Sequence, residues 1–213
     1  MRLKLKRSLD VLVAATILVP AAPLLLLIAL AIRLTMGRPI LFRQVRPGYR
    51  GVPFTLLKFR TMPWRSDGAF VRPTEVDLPW LGKLLRKTSL DELPQLVCVL
   101  RGDMSLVGPR PLLMEYLDHY RVEHRRRHDV KPGITGMAQV NGRQGLKFSK
   151  RLEMDVWYVD NWSLQVDFSI LFRTFLRLFR PDGIPNASEL GEVDDVGLTQ
   201  SLKRAALTGA NLK

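Results

Sequence analysis

From Val11 to Ile32 the chain carries no charged residue, a run long enough at helical rise to cross a hydrocarbon core about 30 Å thick. That feature places the protein at a bilayer before anything else about it is known. The preceding Arg2, Lys4, Lys6 and Arg7 would suit the basic start of a cleaved signal peptide. The run is too long for one, however, and offers no small-residue cleavage site before the next charge. Basic residues also follow the run, at Arg33, Arg38, Arg43, Arg46 and Arg50. Cytoplasmic flanks collect Lys and Arg, so both ends belong on the same side. Pro20 and Pro23 fall in the middle, and each interior proline costs a straight helix about 3 kcal/mol and one backbone hydrogen bond. Residues 9–34 are therefore expected to form a broken, re-entrant membrane helix with both ends cytoplasmic.

The remainder of the 213 residues can hold one domain with a modest core and hardly two. Lys and Arg number 33 against 20 Asp and Glu, a formal charge of +13 at pH 7. Such an excess favours a polyanionic partner: nucleic acid, anionic lipid or a phosphorylated substrate. The single cysteine, Cys98, lies in the apolar run Leu96–Leu100. An internal disulfide is excluded, and a buried structural thiol fits a reducing, cytosolic face.

Beyond the apolar run, residues 39–45 and 53–59 read as two strands joined by a turn at Arg46-Pro47-Gly48 and Gly51. Residues 61–79 lack periodicity and read as a surface loop. Helices are expected over 80–87, with Trp80, Leu81, Leu84 and Leu85 on one face, and over 93–100. Residues 102–111 are turn-rich, 112–128 return to helical spacing, and the breakers Pro132, Gly133, Gly136 and Gly142 make 131–143 a structured loop. Helix is again expected over 147–158. In 166–179, Phe168, Leu171, Phe172, Phe175, Leu176 and Phe179 recur between arginines. That pattern suits a helix lying in the membrane interface or one packed on the domain core. Residues 182–213 turn polar and read as a peripheral tail.

No phosphate-binding Gly-Lys-Ser/Thr loop and no Gly-x-Gly-x-x-Gly is present. His124 and His128 have metal-ligand spacing, but Arg125, Arg126 and Arg127 would repel a cation, so a solvated basic face is expected. The informative stretch is Arg86-Lys-Thr-Ser-Leu-Asp91-Glu92-Leu-Pro-Gln. Ser89 and Glu92 have the spacing of a capping box, although Pro94 would cost the new helix a hydrogen bond. The same carboxylate pair, with Arg86 nearby and a divalent cation, could hold a phosphate. Arg110 stands between Pro109 and Pro111, which fixes its backbone and suits either a phosphate clamp or a surface turn. Lys58 alternates out of an apolar strand, as an edge-strand charge or as a further phosphate contact.

Five segments together closely resemble the monotopic phosphoglycosyl transferases, the bacterial sugar transferase family. They are Arg-Pro-Gly at 46–48, Lys-Phe-Arg-Thr-Met at 58–62, Ser-Leu-Asp-Glu-Leu-Pro-Gln at 89–95, Gly-Asp-Met-Ser-Leu-Val-Gly-Pro-Arg-Pro at 102–111, and Lys-Pro-Gly-Ile-Thr-Gly-Met-Ala-Gln-Val-Asn-Gly-Arg at 131–143. The resemblance covers residues 4–180. It implies an α/β fold: a small, mostly helical catalytic domain with a short sheet or hairpin, a re-entrant N-terminal helix and interfacial amphipathic helices. The family often has serine before the helix-breaking proline, where this chain has Ala22, so the break rests on Pro20 and Pro23 together.

By the same resemblance, Asp91 is the nucleophile on the donor's sugar-linked phosphate, Glu92 is its partner, and magnesium binds near the pair with Asp91 as ligand. Lys58, Arg86 and Arg110 match positions expected to contact phosphate, and Gln139 and Arg143 the nucleotide end. The implied reaction moves a sugar 1-phosphate from a UDP-sugar to polyprenyl phosphate, releasing UMP, on the cytoplasmic face of the bacterial inner membrane. Anionic lipids of that leaflet are expected partners, a homo-oligomer is compatible, and nucleic acid is not expected. The expected units are 1–36 (basic N-terminus and membrane helix), 37–181 (catalytic domain) and 182–213 (tail). Donor specificity is expected in the loop 63–79 and near 144–150. A metal-dependent phosphatase and a nonenzymatic membrane-surface adaptor are the alternatives.

Overall fold

The long N-terminal helix α1 (Arg2–Thr35) is apolar enough to cross a membrane, and it is unbroken across Pro20 and Pro23. Each proline removes one donor while neighbouring turns keep theirs, so the prolines weaken the helix at this point without ending it. The computed structural model describes residues 2–63, 78–142, 146–178 and 195–196. Most of the expected loop 61–79, Arg143 and nearly all of the tail lie outside the described residues.

Both limbs of α1 pack on the same globular body. In the N-terminal limb, Lys6 Nζ pairs with Asp167 Oδ2 at 2.6 Å, and the Arg7 guanidinium donates to the carbonyls of Val99 (2.5 Å) and Leu100 (3.0 Å). Asp10 is buried and accepts from Ser105 Oγ (2.8 Å) and from the Leu106 amide (3.2 Å). In the C-terminal limb, Ile28 and Ile32 join Phe59, Leu81 and Leu85 in a core cluster. Burying a side chain such as Ile32 contributes roughly 2 kcal/mol. Between the limbs, Val19, Leu24, Leu26 and Leu27 are exposed. Lys6 and Arg7, which read in the sequence as flanking charges, are thus the clasps that dock the helix.

The expected hairpin forms from β1 (Leu41–Pro47) and β2 (Pro53–Phe59), antiparallel from Leu41 opposite Phe59 to Pro47 opposite Pro53. Helix α2 (Trp80–Thr88) buries Leu81 and Leu85, while Trp80 and Leu84 are exposed. Four apolar residues on adjoining turns therefore serve two surfaces. Helix α3 (Gln95–Arg101) buries Leu96, Cys98 and Val99 in the main core with Leu56, Leu57, Met104, Val107, Tyr158 and Ile170. The free thiol of Cys98 is buried, as its apolar neighbours require.

A second, parallel pair joins β3 (Ser105–Val107) to β4 (Gly133–Thr135), in segments expected to be turns and a structured loop. Here the glycines are required: a Cβ on Gly133 would collide with the Gly108 amide nitrogen and the Thr135 carbonyl, and one on Gly136 with the Gly108 carbonyl. Two backbones meet without side chains between them. Residues 112–128 are not one helix. They form a two-turn 3-10 segment over Met114–His119, the short helix α4 (Val122–Arg125) and a further turn at Arg126–His128. The basic face expected there is also split, because Arg127 and His128 are buried while Arg125 and Arg126 are exposed. Burial, reinforced by Arg127, pushes the His128 imidazole down to about 4.

Helix α5 (Met137–Val140) is followed by α6 (Phe148–Asp160) and α7 (Leu164–Leu178). On α7, Ile170 and Asp167 face the core, while Phe168, Phe172, Phe175 and Leu176 are exposed. Asp167 also accepts from Tyr158 (2.6 Å) and Trp162 (3.1 Å), which ties α6, α7 and the start of α1 together. Of the tail, Asp195 accepts hydrogen bonds from the Ser149 amide (3.0 Å) and hydroxyl (2.5 Å) at the start of α6.

Replacing Gly133 with alanine is expected to cost about 3 kcal/mol through overpacking and to lower the melting temperature of the detergent-solubilised protein by several degrees. Thermal denaturation followed by circular dichroism measures it, and an unchanged melting curve would contradict the close approach of β3 and β4.

Candidate active site

Asp91 and Glu92 sit on a single helical turn, Leu90–Glu92, wedged between α2 and α3. Ser89 ends α2 in the left-handed region at φ 58° and turns the chain. Its side chain makes no capping hydrogen bond, so the capping box does not form. The next helix starts only after Pro94, with Gln95 as its first residue. The carboxylates thus precede a helix instead of opening one.

Glu92 is the centre of a charge cluster drawn from three segments. Lys58, on β2, reaches Glu92 Oε1 at 2.7 Å. Arg110, following β3, places Nη2 at 2.7 Å from the same oxygen and Nη1 at 3.4 Å from Oε2. Burial alone would raise the Glu92 carboxyl, but Arg110 and Lys58 together outweigh it and hold Glu92 well below the ordinary carboxylate range. The cluster acts back on its cations. Burial lowers Lys58, assisted by Arg110 and opposed by Glu92, whereas the Glu92 charge raises Arg110.

Asp91 is in a different position. It is 9% exposed, and among the described residues no group donates a hydrogen bond to its carboxylate. Burial, then the adjacent Glu92 charge, pushes its carboxyl up to about 6; Lys58, Arg86 and Arg110 pull it back. The result is a carboxylate that is ionised at neutral pH and whose lone pairs are uncommitted. Arg86, in the last turn of α2, donates from Nε to Thr61 Oγ1 at 2.9 Å and acts on Asp91 through charge alone.

The structure therefore brings together five of the residues singled out by sequence: Lys58, Arg86, Asp91, Glu92 and Arg110. Gln139, on α5, shares no hydrogen bond or ion pair with them; its carbonyl accepts from Arg177 at 3.2 Å, and both polar atoms of its side-chain amide are buried without a partner among the described residues. Arg143 lies outside the described residues. Sequence reasoning missed Arg127, whose guanidinium donates to the Arg110 carbonyl at 2.7 Å. Only its place in an otherwise solvated run of arginines could have drawn notice.

An acidic pair in which one member is saturated by cations and the other is free, framed by basic residues, is equipped to receive a phosphate ester. The sequence matches the bacterial sugar transferase family over residues 1–181. The chain belongs to that family. It is 49% identical over 187 residues to an uncharacterized sugar transferase, EpsL, of Bacillus subtilis, covering 87% of this chain and 93% of the relative. It is 45% identical over 188 residues to a UDP-glucose:undecaprenyl-phosphate glucose-1-phosphate transferase of Caulobacter vibrioides, covering 83% of this chain and 70% of the relative. A third relative, an undecaprenyl-phosphate galactose phosphotransferase of Salmonella typhimurium, is 38% identical over 200 residues, 84% of this chain and 41% of its own length. This chain is accordingly a transferase.

Replacing Glu92 with glutamine in this transferase leaves Lys58 and Arg110 facing each other without an anion between them. Stability should fall by roughly 1–3 kcal/mol, less than for a fully buried pair because the Arg110 side chain is 41% exposed. Chemical denaturation of the detergent-solubilised protein measures this, and a loss no larger than that of an exposed ion pair would argue against a cluster centred on Glu92.

Proposed function

We propose that this transferase moves a sugar 1-phosphate from a UDP-sugar to undecaprenyl phosphate through a covalent phosphosugar on Asp91. The observation that carries the reading is the asymmetry of the pair: Glu92 is held by Lys58 and Arg110, while Asp91 is ionisable near neutrality and free to bond elsewhere. In the first step an Asp91 oxygen attacks the sugar-linked phosphorus, the bridging P–O bond breaks, and UMP leaves. In the second, a phosphate oxygen of the lipid attacks that phosphorus and the bond to Asp91 breaks, restoring the carboxylate and giving polyprenyl diphosphate sugar. Arg86, Lys58 and Arg110 lower the repulsion between the two anions, and Gln139 and Arg143 are assigned to the nucleotide end. The sugar is a hexose or related sugar, with glucose and galactose suggested by the named relatives.

Among the described residues no three His, Cys, Asp or Glu side chains cluster as a metal cage. Magnesium does not require one, since it commonly uses one or two carboxylates together with substrate phosphates and water. The uncommitted Asp91 carboxylate fits that role, and the ion would supply further neutralisation of the diphosphate. Asp91 then serves as ligand and nucleophile on one side chain.

The contacts of α1 support a seat on one face of the membrane. Because Lys6, Arg7 and Asp10 hold one limb and Ile28 and Ile32 the other on one body, with the Val19–Leu27 stretch exposed between them, the helix enters and leaves the bilayer on one face. Pro20 and Pro23 lie within this exposed stretch, where the helix is weakest. The exposed Phe168, Phe172, Phe175 and Leu176 of α7 rest in the interface of the same leaflet. These contacts support a reading in which residues 37–181 are a catalytic domain on the cytoplasmic, anionic face of the bacterial inner membrane. There it would open glycoconjugate or exopolysaccharide assembly.

Purified protein with magnesium and UDP-glucose or UDP-galactose should release about one UMP per active site without lipid, and turn over only with undecaprenyl phosphate. Asp91→Asn should reduce release about a thousandfold or more. Free sugar phosphate as the product would indicate a phosphatase; no release by folded protein with any UDP-sugar would contradict the reading.

The pH dependence has a definite sign. Burial and the adjacent Glu92 charge push the Asp91 carboxyl up to about 6, and it attacks only when ionised. Single-turnover UMP release should therefore rise with pH toward neutrality and then level off, with a magnesium ion on Asp91 shifting the rise to lower pH. Stopped mixing of enzyme and donor measures the limb. A rate that is flat from about pH 4 to 8 would separate Asp91 from the chemical step.

A further inference from the structure

We propose that Arg127 is a positioning residue: its guanidinium grips the main chain of Arg110 and so sets where the Arg110 side chain meets Glu92. The inference rests on the proposed function for its kinetic consequence, though not for its structural one. Arg110 lies between Pro109 and Pro111, so this tripeptide owns a single backbone N–H. Its main chain is held chiefly through its carbonyls. Each carbonyl has a donor from elsewhere: Pro109 accepts from the Gly133 amide at 3.0 Å, Arg110 from Arg127 Nη2 at 2.7 Å, and Pro111 from Arg46 Nη1 at a longer 3.5 Å. The shortest of the three belongs to Arg127.

Arg127 is itself fixed. It is 2% exposed, Nε and Nη2 donate to Asp155 Oδ2 at 3.1 and 2.6 Å, and Nη1 donates to the Tyr120 hydroxyl at 3.1 Å. Its charge is neutralised by Asp155 on α6, and its Cζ lies over the Tyr120 ring, 5.6 Å from the centroid. A planar fork that satisfies three partners at once is a task for arginine, since a lysine ammonium has one nitrogen to share. An ion pair serving stability alone would need only Asp155. The bond to Arg110 O is additional and points directly at the segment that carries a cation into the Glu92 cluster.

The test separates positioning from stability. Removing Arg127 alone would leave Asp155 buried and unpaired, so the first variant is R127M/D155L, which replaces the ion pair with apolar side chains and is expected to fold. The second is R127K, which keeps the charge beside Asp155 and serves if the first does not fold. Two readings apply to either variant. Hydrogen–deuterium exchange in a peptide spanning 107–117, where the Gly108 and Tyr116 amides bond to Thr135 and Leu113, should quicken about tenfold while the β1–β2 hairpin is unchanged. With UDP-glucose or UDP-galactose, whichever the native enzyme turns over, kcat/KM for UMP release should fall about 10- to 100-fold, the effect of misplacing a substrate-positioning group.

The same change made on an Arg110→Ala background should cost less than about threefold, because its effect passes through the side chain already removed. Unchanged exchange over 107–117, or losses that multiply fully across the two backgrounds, would overturn the proposal. Should the native enzyme release no UMP from any UDP-sugar, the proposed function fails, while the exchange measurement still decides whether Arg127 holds Arg110.

Discussion

The ion cluster at Glu92 is where three parts of the chain that are distant in sequence become one structure. Lys58 arrives on a strand, Arg110 on a proline-framed extension, and Glu92 on the turn between two helices. Two cations on one carboxylate leave a local positive excess, and that excess is what lets a second carboxylate exist one residue away. Asp91 is desolvated and faces a like charge, both of which raise its carboxyl; the surrounding Lys58, Arg86 and Arg110 pull it back to about 6. The pair is therefore not two equivalent acids. Its members are pushed apart in acidity by their surroundings, the usual physical signature of a division of labour between neighbouring carboxylates.

Around this cluster the supporting elements are short, and their precision comes from backbone contact more than from large side chains. Strands β3 and β4 are three residues each, too short to be stable as an isolated pair. They persist because Gly108, Gly133 and Gly136 let the two chains approach to contact, with the Gly108 amide bonded to the Thr135 carbonyl at 2.9 Å. This contact delivers Pro109 and Arg110 at a fixed point. Gly82 plays a comparable part for α2, where an added Cβ would strike the Thr61 carbonyl. That close seating keeps Arg86 within reach of the Thr61 hydroxyl.

Much of the site was legible in the sequence because its signals are local. Turn residues at 46–51 announced the hairpin, the phase of Leu81 and Leu85 announced α2, and the acidic pair and its arginines stood out beside prolines. The parts that were not legible depend on partners far along the chain. Residues 105–107 and 133–135 lack a strand's alternation, since their pairing is decided by three glycines across a gap of about 28 residues. Arg127 sits in a basic run that reads as a solvated face, and nothing local reveals that Asp155 waits to neutralise it. The stretch 112–128 keeps helical spacing, yet it breaks into turns, from which Tyr116 and Tyr120 enter a separate cluster with Phe148 and Leu152. Ser89 takes a left-handed conformation that its side chain does not advertise.

Charge on the N-terminal segment carries a further step of argument. Counting Lys6 and Arg7 as flanking cations treats them as solvated, which would make them interchangeable with any basic residue nearby. In the structure they are specific: Arg7 satisfies two carbonyls at the end of α3, where a helix leaves acceptors unfilled and a cation is favoured. Lys6 meets Asp167 on α7 and the Val107 carbonyl at 3.2 Å. One turn later, Asp10 holds Ser105 and Leu106. The first limb of the membrane helix therefore grips the strand that leads directly into Gly108, Pro109 and Arg110. Displacing that limb would disturb β3 before it disturbed any residue of the acidic pair. The apolar helix thus keeps its middle exposed while its limbs complete the frame on which the Glu92 cluster is built.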